Sequence, residues 1–316
     1  DCQSRGVTVT GATMYVTLEP CCHYGKTPPC TEAIIENGIA KVVVGSLDPN
    51  PKVAGKGIQI LKDHGINVVT GVMEKECDDL NEVFMHYIKN KKPFVVMKYA
   101  MTADGKIATR TGKSQWITGP EARGQVHKDR HRYAGIMVGI GTVLADDPTL
   151  NCRLEDGLSP TRIICDTSLR IPMDSNIVRT AKTYDTIIAT RSKDNEKIRK
   201  LKEAGCQILV QDGQADRIDL VDLMDKVGSI GIDSVLLEGG GQLNWSALEA
   251  GIVNKVQVYI GNKIFGGNDA KSPVGGYGVD LPDQAKKLKL TGLEKFGPDL
   301  LIEYRVENEV VECSQE

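Results

Sequence analysis

Leu236-Leu237-Glu238-Gly239-Gly240-Gly241-Gln242-Leu243-Asn244 is the stretch on which the reading of this chain turns. A short apolar run, Ser234–Leu237, ends in an acid and three consecutive glycines, and the sequence then turns helical toward Trp245–Ala250. A strand that delivers a carboxyl group and a glycine turn to a helix start is one unit of a sheet covered by helices. The glycines let backbone approach a ligand closely, and the amides of the next helical turn can hold a pyrophosphate. The spacing is not Gly-x-Gly-x-x-Gly, so the generic dinucleotide fingerprint does not apply. On spacing alone, a plain helix-entry turn accounts for it equally well.

The same alternation extends both ways. Upstream, Thr13–Thr17, Lys41–Gly45 and Asn67–Thr70 read as strands, with helices at Thr31–Asn37 and Gly57–His64. Gly38 and Gly65 stand where left-handed helix caps are expected. The polar run Lys89-Asn90-Lys91-Lys92-Pro93 reads as a solvated linker and a domain boundary. Beyond it, Phe94–Met97, Ala134–Val138, Thr161–Cys165, Thr186–Ala189, Gln207–Val210 and Lys255–Ile260 join Ser234–Leu237 as strands. Helices are expected at Glu121–His131, Asn195–Ala204 and Ile218–Val227. The domains are expected at 1–90 and 93–308, with a C-terminal tail at 309–316.

The chain has 316 residues, enough for two domains with proper cores. Hydrophobic residues make up 41% and charged residues 26%, which excludes wholesale disorder. A net charge of −3 argues against a polybasic nucleic-acid or membrane-surface binder. Apolar runs such as Val42–Val44 are far too short to span a bilayer, and no signal segment opens the sequence. The nine cysteines are scattered, so they do not form a disulfide framework, and a reducing cytoplasm is expected.

One cysteine cluster stands out, in Glu19-Pro20-Cys21-Cys22-His23-Tyr24-Gly25-Lys26-Thr27-Pro28-Pro29-Cys30. Thiolates on a turn and at a helix start are good zinc ligands, because the helix end lowers thiol pKa. Zinc deaminases add one further ligand and a Glu that shuttles protons to a zinc-activated water.

Four further segments carry the second domain's signal: Lys98-Tyr99-Ala100-Met101-Thr102-Ala103-Asp104-Gly105-Lys106, Ser114–Arg123, Val138-Gly139-Ile140-Gly141-Thr142 and Asp146-Asp147-Pro148. Together with the cysteine string, Asp48-Pro49-Asn50-Pro51 and Val53–Gly57, they resemble the bifunctional riboflavin-biosynthesis deaminase/reductase family. The reductase resemblance covers roughly residues 93–305. It implies an α/β fold: a truncated cytidine-deaminase-like domain, then a dihydrofolate-reductase-like domain. It also implies riboflavin biosynthesis, by NADPH-dependent reduction of the ribosyl group of 5-amino-6-(5-phosphoribosylamino)uracil to ribityl.

Carried over by position, Ala100, Trp116, Thr142, Asp146, Thr167, Gly240, Gly241, Gln242, Leu243 and Asn244 would contact NADPH. Ser114, Arg130, Leu150, Arg153 and Glu238 would contact substrate, with Arg130 and Arg153 on its phosphate. Glu238 and Lys98 are the catalytic candidates, Lys98 being read as a strand-end lysine. Thr167, Ser168 and Arg170 offer hydroxyls and a guanidinium for a 2′-phosphate, whereas Asp166 suits a free ribose hydroxyl. Cys21 and Cys30 match zinc ligands, but the family's His-x-Glu partner falls just before residue 1, so the site is expected to be incomplete, zinc weak or absent, and deamination lost. The alternatives are a fully bifunctional protein if that pair lies upstream, an N-terminal part serving only assembly, or a non-catalytic nucleotide binder. The expected partner is a phosphorylated pyrimidine, not nucleic acid or membrane, and the chain is expected to be a homo-oligomer.

Overall fold

The computed structural model describes residues 4–25, 27–213 and 216–307. Cys2, Lys26, Cys313 and the expected tail at 309–316 lie outside the described residues. The chain divides into two compact units, Asp1–Lys91 and Lys92–Glu316.

In the first unit, β1 (Thr13–Leu18), α1 (Cys30–Glu36), β2 (Lys41–Ser46), α2 (Lys56–Asp63) and β3 (Asn67–Val69) build a parallel sheet in the order β1-β2-β3. Its core is Ile34, Val42, Val44, Leu61 and Ile66. Gly38 and Gly65 follow the two helices in the left-handed region, at φ 65° and 77°. Two helices escape the sequence reading: α3 (Glu74–Leu80) and α4 (Glu82–Asn90). α3 buries no residue, so it has no apolar stripe to read. α4 runs into the polar stretch read as linker and stops at Lys91, whose φ is 57°.

The second unit contains β4 (Phe94–Thr102), α5 (Pro120–Arg132), β5 (Gly135–Gly139), α6 (Ile140–Asp146), β6 (Thr161–Cys165), α7 (Asn176–Arg179), β7 (Thr186–Thr190) and α8 (Asn195–Glu203). There follow β8 (Gln207–Val210), α9 (Leu220–Ser229), β9 (Ser234–Leu237), α10 (Gly241–Glu249), β10 (Val253–Gly261), β11 (Leu288–Phe296) and β12 (Asp299–Val306). The sheet order is β11-β12-β10-β4-β9-β5-β6-β7-β8. Strands β10 through β8 in that order run parallel, and the β11–β12 hairpin is antiparallel.

Alternate strand residues supply two cores. Met137, Ile163 and Ile187 pack with α9 and α10, while Ile136, Ile164 and Ile188 pack with α6, α7 and α8. Helices on both faces explain why β4, β5 and β9 read as continuous apolar runs. The hairpin was missed because Leu288, Leu290 and Leu293 are exposed, leaving β11 without a buried face to read.

The chain order places the site. From β4 the chain passes to β5, leaving a gap that β9 later fills, and then crosses to β10 on the other side of β4. Such a reversal opens a crevice at the carboxyl ends of the strands.

A charged cluster at the carboxyl ends of the parallel strands

Glu238 directly follows β9, and its carboxylate is gripped by Arg130 of α5. Arg130 Nε donates to Oε1 at 2.9 Å and Nη2 to Oε2 at 3.0 Å. Two parallel bonds from a planar fork fix both groups. Lys98 Nζ lies 3.8 Å from the same carboxylate and 5.5 Å from the centre of the Tyr259 ring. Burial pushes the Glu238 carboxyl up, but Arg130 and Lys98 outweigh it and hold it down at about 2. Burial opposes the Arg130 charge as well, yet Glu238 raises its pKa on balance. Lys98 stands in the middle of β4, not at a strand end: it pairs with Gln257 of β10, one residue past the last pair with β9, Met97 with Leu237.

Behind Lys98, the Tyr259 hydroxyl donates to Asp129 Oδ2 at 3.1 Å, and Gln125 donates to Asp129 Oδ1 at 3.2 Å. Asp129 and Arg130 belong to the run Lys128-Asp129-Arg130-His131-Arg132, which alone reads as a solvated helix face. The structure turns two of its members inward.

Lys98, Ala100 and Glu238 line one cleft of about 120 Å³ together with Tyr99, Ile107, Gly239 and Pro273. The glycine turn forms its lip. A Cβ on Gly241 would lie 2.9 Å from the Ser272 carbonyl oxygen, whereas one on Gly240 would meet only Thr142 Oγ1, at 3.7 Å. Gly241 is therefore required by packing, while Gly240 faces open space beside Thr142. Gln242 is exposed at the start of α10, Leu243 packs on the core, and Asp146 is exposed at the end of α6. Asn244 departs from the cofactor-contact expectation. It is fully buried and donates to the Pro273 carbonyl at 2.8 Å, so it holds the far wall of the cleft.

Two other expected substrate positions are held by the protein itself. Arg130 donates to Glu238 and to the Asn151 carbonyl, the latter at 3.1 Å, and so supports the carboxylate. Leu150 is buried in the α6–α8 core with φ 57°, so any substrate contact there falls to its backbone. Arg153 is exposed and forms no ion pair among the described residues. Ser114 is half-buried in the loop before Trp116, and Trp116 is 57% exposed with the Arg123 guanidinium 4.5 Å from its ring centre.

At the end of β6, Asp166 is fully buried and its Oδ2 accepts from Ile171 N at 2.7 Å. It organises its own loop and is not presented to a ribose. Thr167 is half-buried, and Ser168 and Arg170 are exposed. Residue-level reading missed His127, Asp129, Asn151 and Tyr259. The first was within reach, since His127 lies three residues before Arg130 on the same helix face.

In the first unit, Cys30 N donates to Cys21 Sγ at 3.3 Å, so the two thiols share the start of α1. Burial first, then the neighbouring Cys21, raises the Cys30 thiol. Among the described residues no group of three or more His, Cys, Asp or Glu side chains could hold a metal ion. The pair does not fit a complete zinc site.

Helices on both faces of a mostly parallel sheet, with a charged cluster and glycine turn at the strand reversal, define an α/β protein of the kind that holds ligands across strand ends. Residues 93–302 match the RibD C-terminal domain, and residues 1–46 match the cytidine and deoxycytidylate deaminase zinc-binding region. The riboflavin biosynthesis protein RibD of Actinobacillus pleuropneumoniae is 55% identical over 298 residues, covering 94% of this chain and 79% of that protein. Its Aquifex aeolicus counterpart is 40% identical, over 95% and 82%.

A Thermotoga maritima crystal structure, described as a diaminohydroxyphosphoribosylaminopyrimidine deaminase/5-amino-6-(5-phosphoribosylamino)uracil reductase, superposes with a TM-score of 0.83. It is 36% identical and the match covers 96% of this chain and 82% of that one. Acinetobacter baumannii RibD gives a TM-score of 0.82 at 32% identity, over 95% and 82%. The chain belongs to the RibD family of bifunctional riboflavin-biosynthesis deaminase/reductases: a short cytidine-deaminase-like region followed by a dihydrofolate-reductase-like domain. No helix among the described residues is long and apolar enough to cross a membrane.

Proposed function

We propose that the Lys92–Glu316 unit reduces the ribosyl group of 5-amino-6-(5-phosphoribosylamino)uracil to a ribityl chain, with NADPH as the reductant. The observation that carries this reading is the Glu238 carboxylate, clamped by Arg130 and approached by Lys98, on the wall of a cleft whose lip is the glycine turn. The cradle fits a dinucleotide: Gly240 leaves room for close approach, and no side chain caps the start of α10, whose first amides can hold a pyrophosphate. When bound, the nicotinamide supplies the hydride.

The chain's own residues bind, orient and handle protons. Glu238, kept ionised by its cations, accepts hydrogen bonds from the substrate's amino or hydroxyl groups. Lys98 Nζ hydrogen-bonds the sugar oxygens and passes a proton to the ring oxygen as the ring opens. Exposed Arg153 takes the terminal phosphate, remote from the reacting carbon, where binding energy is converted into orientation. Fixed geometry of this kind is the main contribution a protein makes to hydride transfer.

The test is NADPH oxidation by the purified chain. Substrate-dependent oxidation that falls away in Glu238→Gln supports the reading, and oxidation unchanged by that substitution refutes it.

A further inference from the structure

His127 and Arg130 lie one turn apart on α5, and the loop after α6 is docked onto both. Cys152 Sγ contacts the His127 carbonyl at 3.3 Å, and Arg130 Nη1 donates to the Asn151 carbonyl at 3.1 Å. Arg153, exposed, follows directly. The charged groups acting on the His127 imidazole are Arg130 of its own helix, Arg153 of the loop, Lys98 of β4 and Glu238 after β9. Three cations thus face one carboxylate, and the carboxylate is already committed to Arg130. The His127 Nδ1 is buried without a hydrogen-bond partner among the described residues. His131, a turn further on, already accepts from Leu158 N at 2.9 Å.

We propose that His127 completes a phosphate-monoester subsite with Arg153 and takes up a proton when the dianion binds. The proposal rests on the reading of this unit as a reductase of a phosphorylated sugar. Without a ligand, burial and then the three cations hold the imidazole below the usual histidine range, with Glu238 opposing them too weakly to prevent it. The ring is therefore held toward its uncharged form. A phosphate dianion placed between Arg153 and His127 reverses that balance, because an adjacent opposite charge favours the protonated ring. The proton comes from solvent, and the unpartnered ring gains a charged acceptor. The phosphate contributes in the opposite direction. Its second dissociation lies near ~6, so binding among cations strips its residual proton and releases a small fraction. Wild type should show net uptake, and a chain lacking the imidazole a slight release.

The experiment is calorimetric titration of the full chain with ribose 5-phosphate at neutral pH, in two buffers of different ionisation enthalpy. Net proton uptake in wild type, with loss or reversal of sign in His127→Gln, is the expected result. No uptake in wild type, or equal uptake in both, overturns the proposal. Ribose 5-phosphate binding that is absent, or indifferent to Arg153→Ala, refutes the phosphate reading itself, a result separate from the proton count. A second measurement does not depend on the variant folding. In wild type labelled at its five histidines, one imidazole resonance should move to the imidazolium position with ribose 5-phosphate and not with ribose. Absence of that movement overturns the proposal.

Discussion

Glu19 in the first unit and Glu238 in the second are both secluded carboxylates beside groups that invite a chemical reading, yet they are used in opposite ways. Glu19 is 3% exposed and accepts the backbone amides of Asp48, Gly55 and Ile58, at 3.3, 2.9 and 3.3 Å. Its lone pairs are spent holding the loop at the start of α2. Glu238 is held by side-chain cations and still lines a cleft. A carboxylate saturated by backbone is architecture, whereas one clamped from one side keeps a face for a ligand. The thiols follow the same logic, since Cys21 and Cys30 have each other and no third ligand among the described residues.

The largest effect expected from this contrast concerns zinc. Structural zinc sites contribute roughly 10–16 kcal/mol when complete, and two thiols alone forgo most of that. The 316-residue chain should lose its zinc on dialysis against a chelator and release no ammonia from the pyrimidine substrate. Stoichiometric metal after dialysis would erase the difference between the two units.

Next is Glu238 itself. Glu238→Gln leaves the Arg130 guanidinium without its charged partner in a mostly buried position, a loss on the order of 3 kcal/mol. The pH dependence has a definite sign. A carboxyl held at about 2 instead of its ordinary 4.5 adds stability that is fully present above 4.5 and is lost as pH falls toward 2. Urea unfolding at neutral pH and at acid pH should therefore separate wild type from the variant at neutrality and bring them together in acid. Parallel curves would show that the clamp is not a stability element.

Arg130 and Arg153 sharpen the comparison within one unit, because one is committed and the other is not. Arg153→Ala should cost about 1.5–3 kcal/mol in binding of the phosphorylated substrate, the worth of a hydrogen bond to a charged group, read as a raised KM, and leave NADPH affinity unchanged. Arg130→Ala should lower kcat and stability together. Equal discrimination between phosphorylated and dephosphorylated substrate by wild type and Arg153→Ala would remove Arg153 from the phosphate.

How much of this was legible depended on contiguity. Strand, acid and glycines adjoin at 236–244, so the carboxylate and its turn could be read directly. The Arg130 partner stands 108 positions away, and its charge run resembles a solvated face until Glu238 is brought opposite. Leu150 and Asn244 sit inside matching motifs, but positional matching does not reveal that their side chains are buried. Lys98 reads as a strand-end residue because its charge interrupts the apolar run Phe94–Met97 and hides the continuation of β4 to Thr102. Pairing with β10 supplies that continuation, and pairing is a non-local fact.

The smallest expected effect concerns cofactor choice at the end of β6. An acid at a strand end ordinarily binds the free ribose hydroxyls of NADH, so Asp166 would argue against NADPH if it faced a ligand. It does not, because it is fully buried and accepts Ile171 N at 2.7 Å. The groups left outside are Ser168 and Arg170, with Thr167 half-buried between them and the strand. A guanidinium suits a 2′-phosphate, but at an exposed position solvent and salt screen the pair to about 1 kcal/mol. Arg170→Ala should therefore weaken NADPH by a factor of about five, leave NADH unchanged, and show less contrast as salt is raised. Binding titrations with both cofactors at two salt concentrations decide it, and equal losses for NADH and NADPH would place Arg170 outside the 2′-phosphate contact.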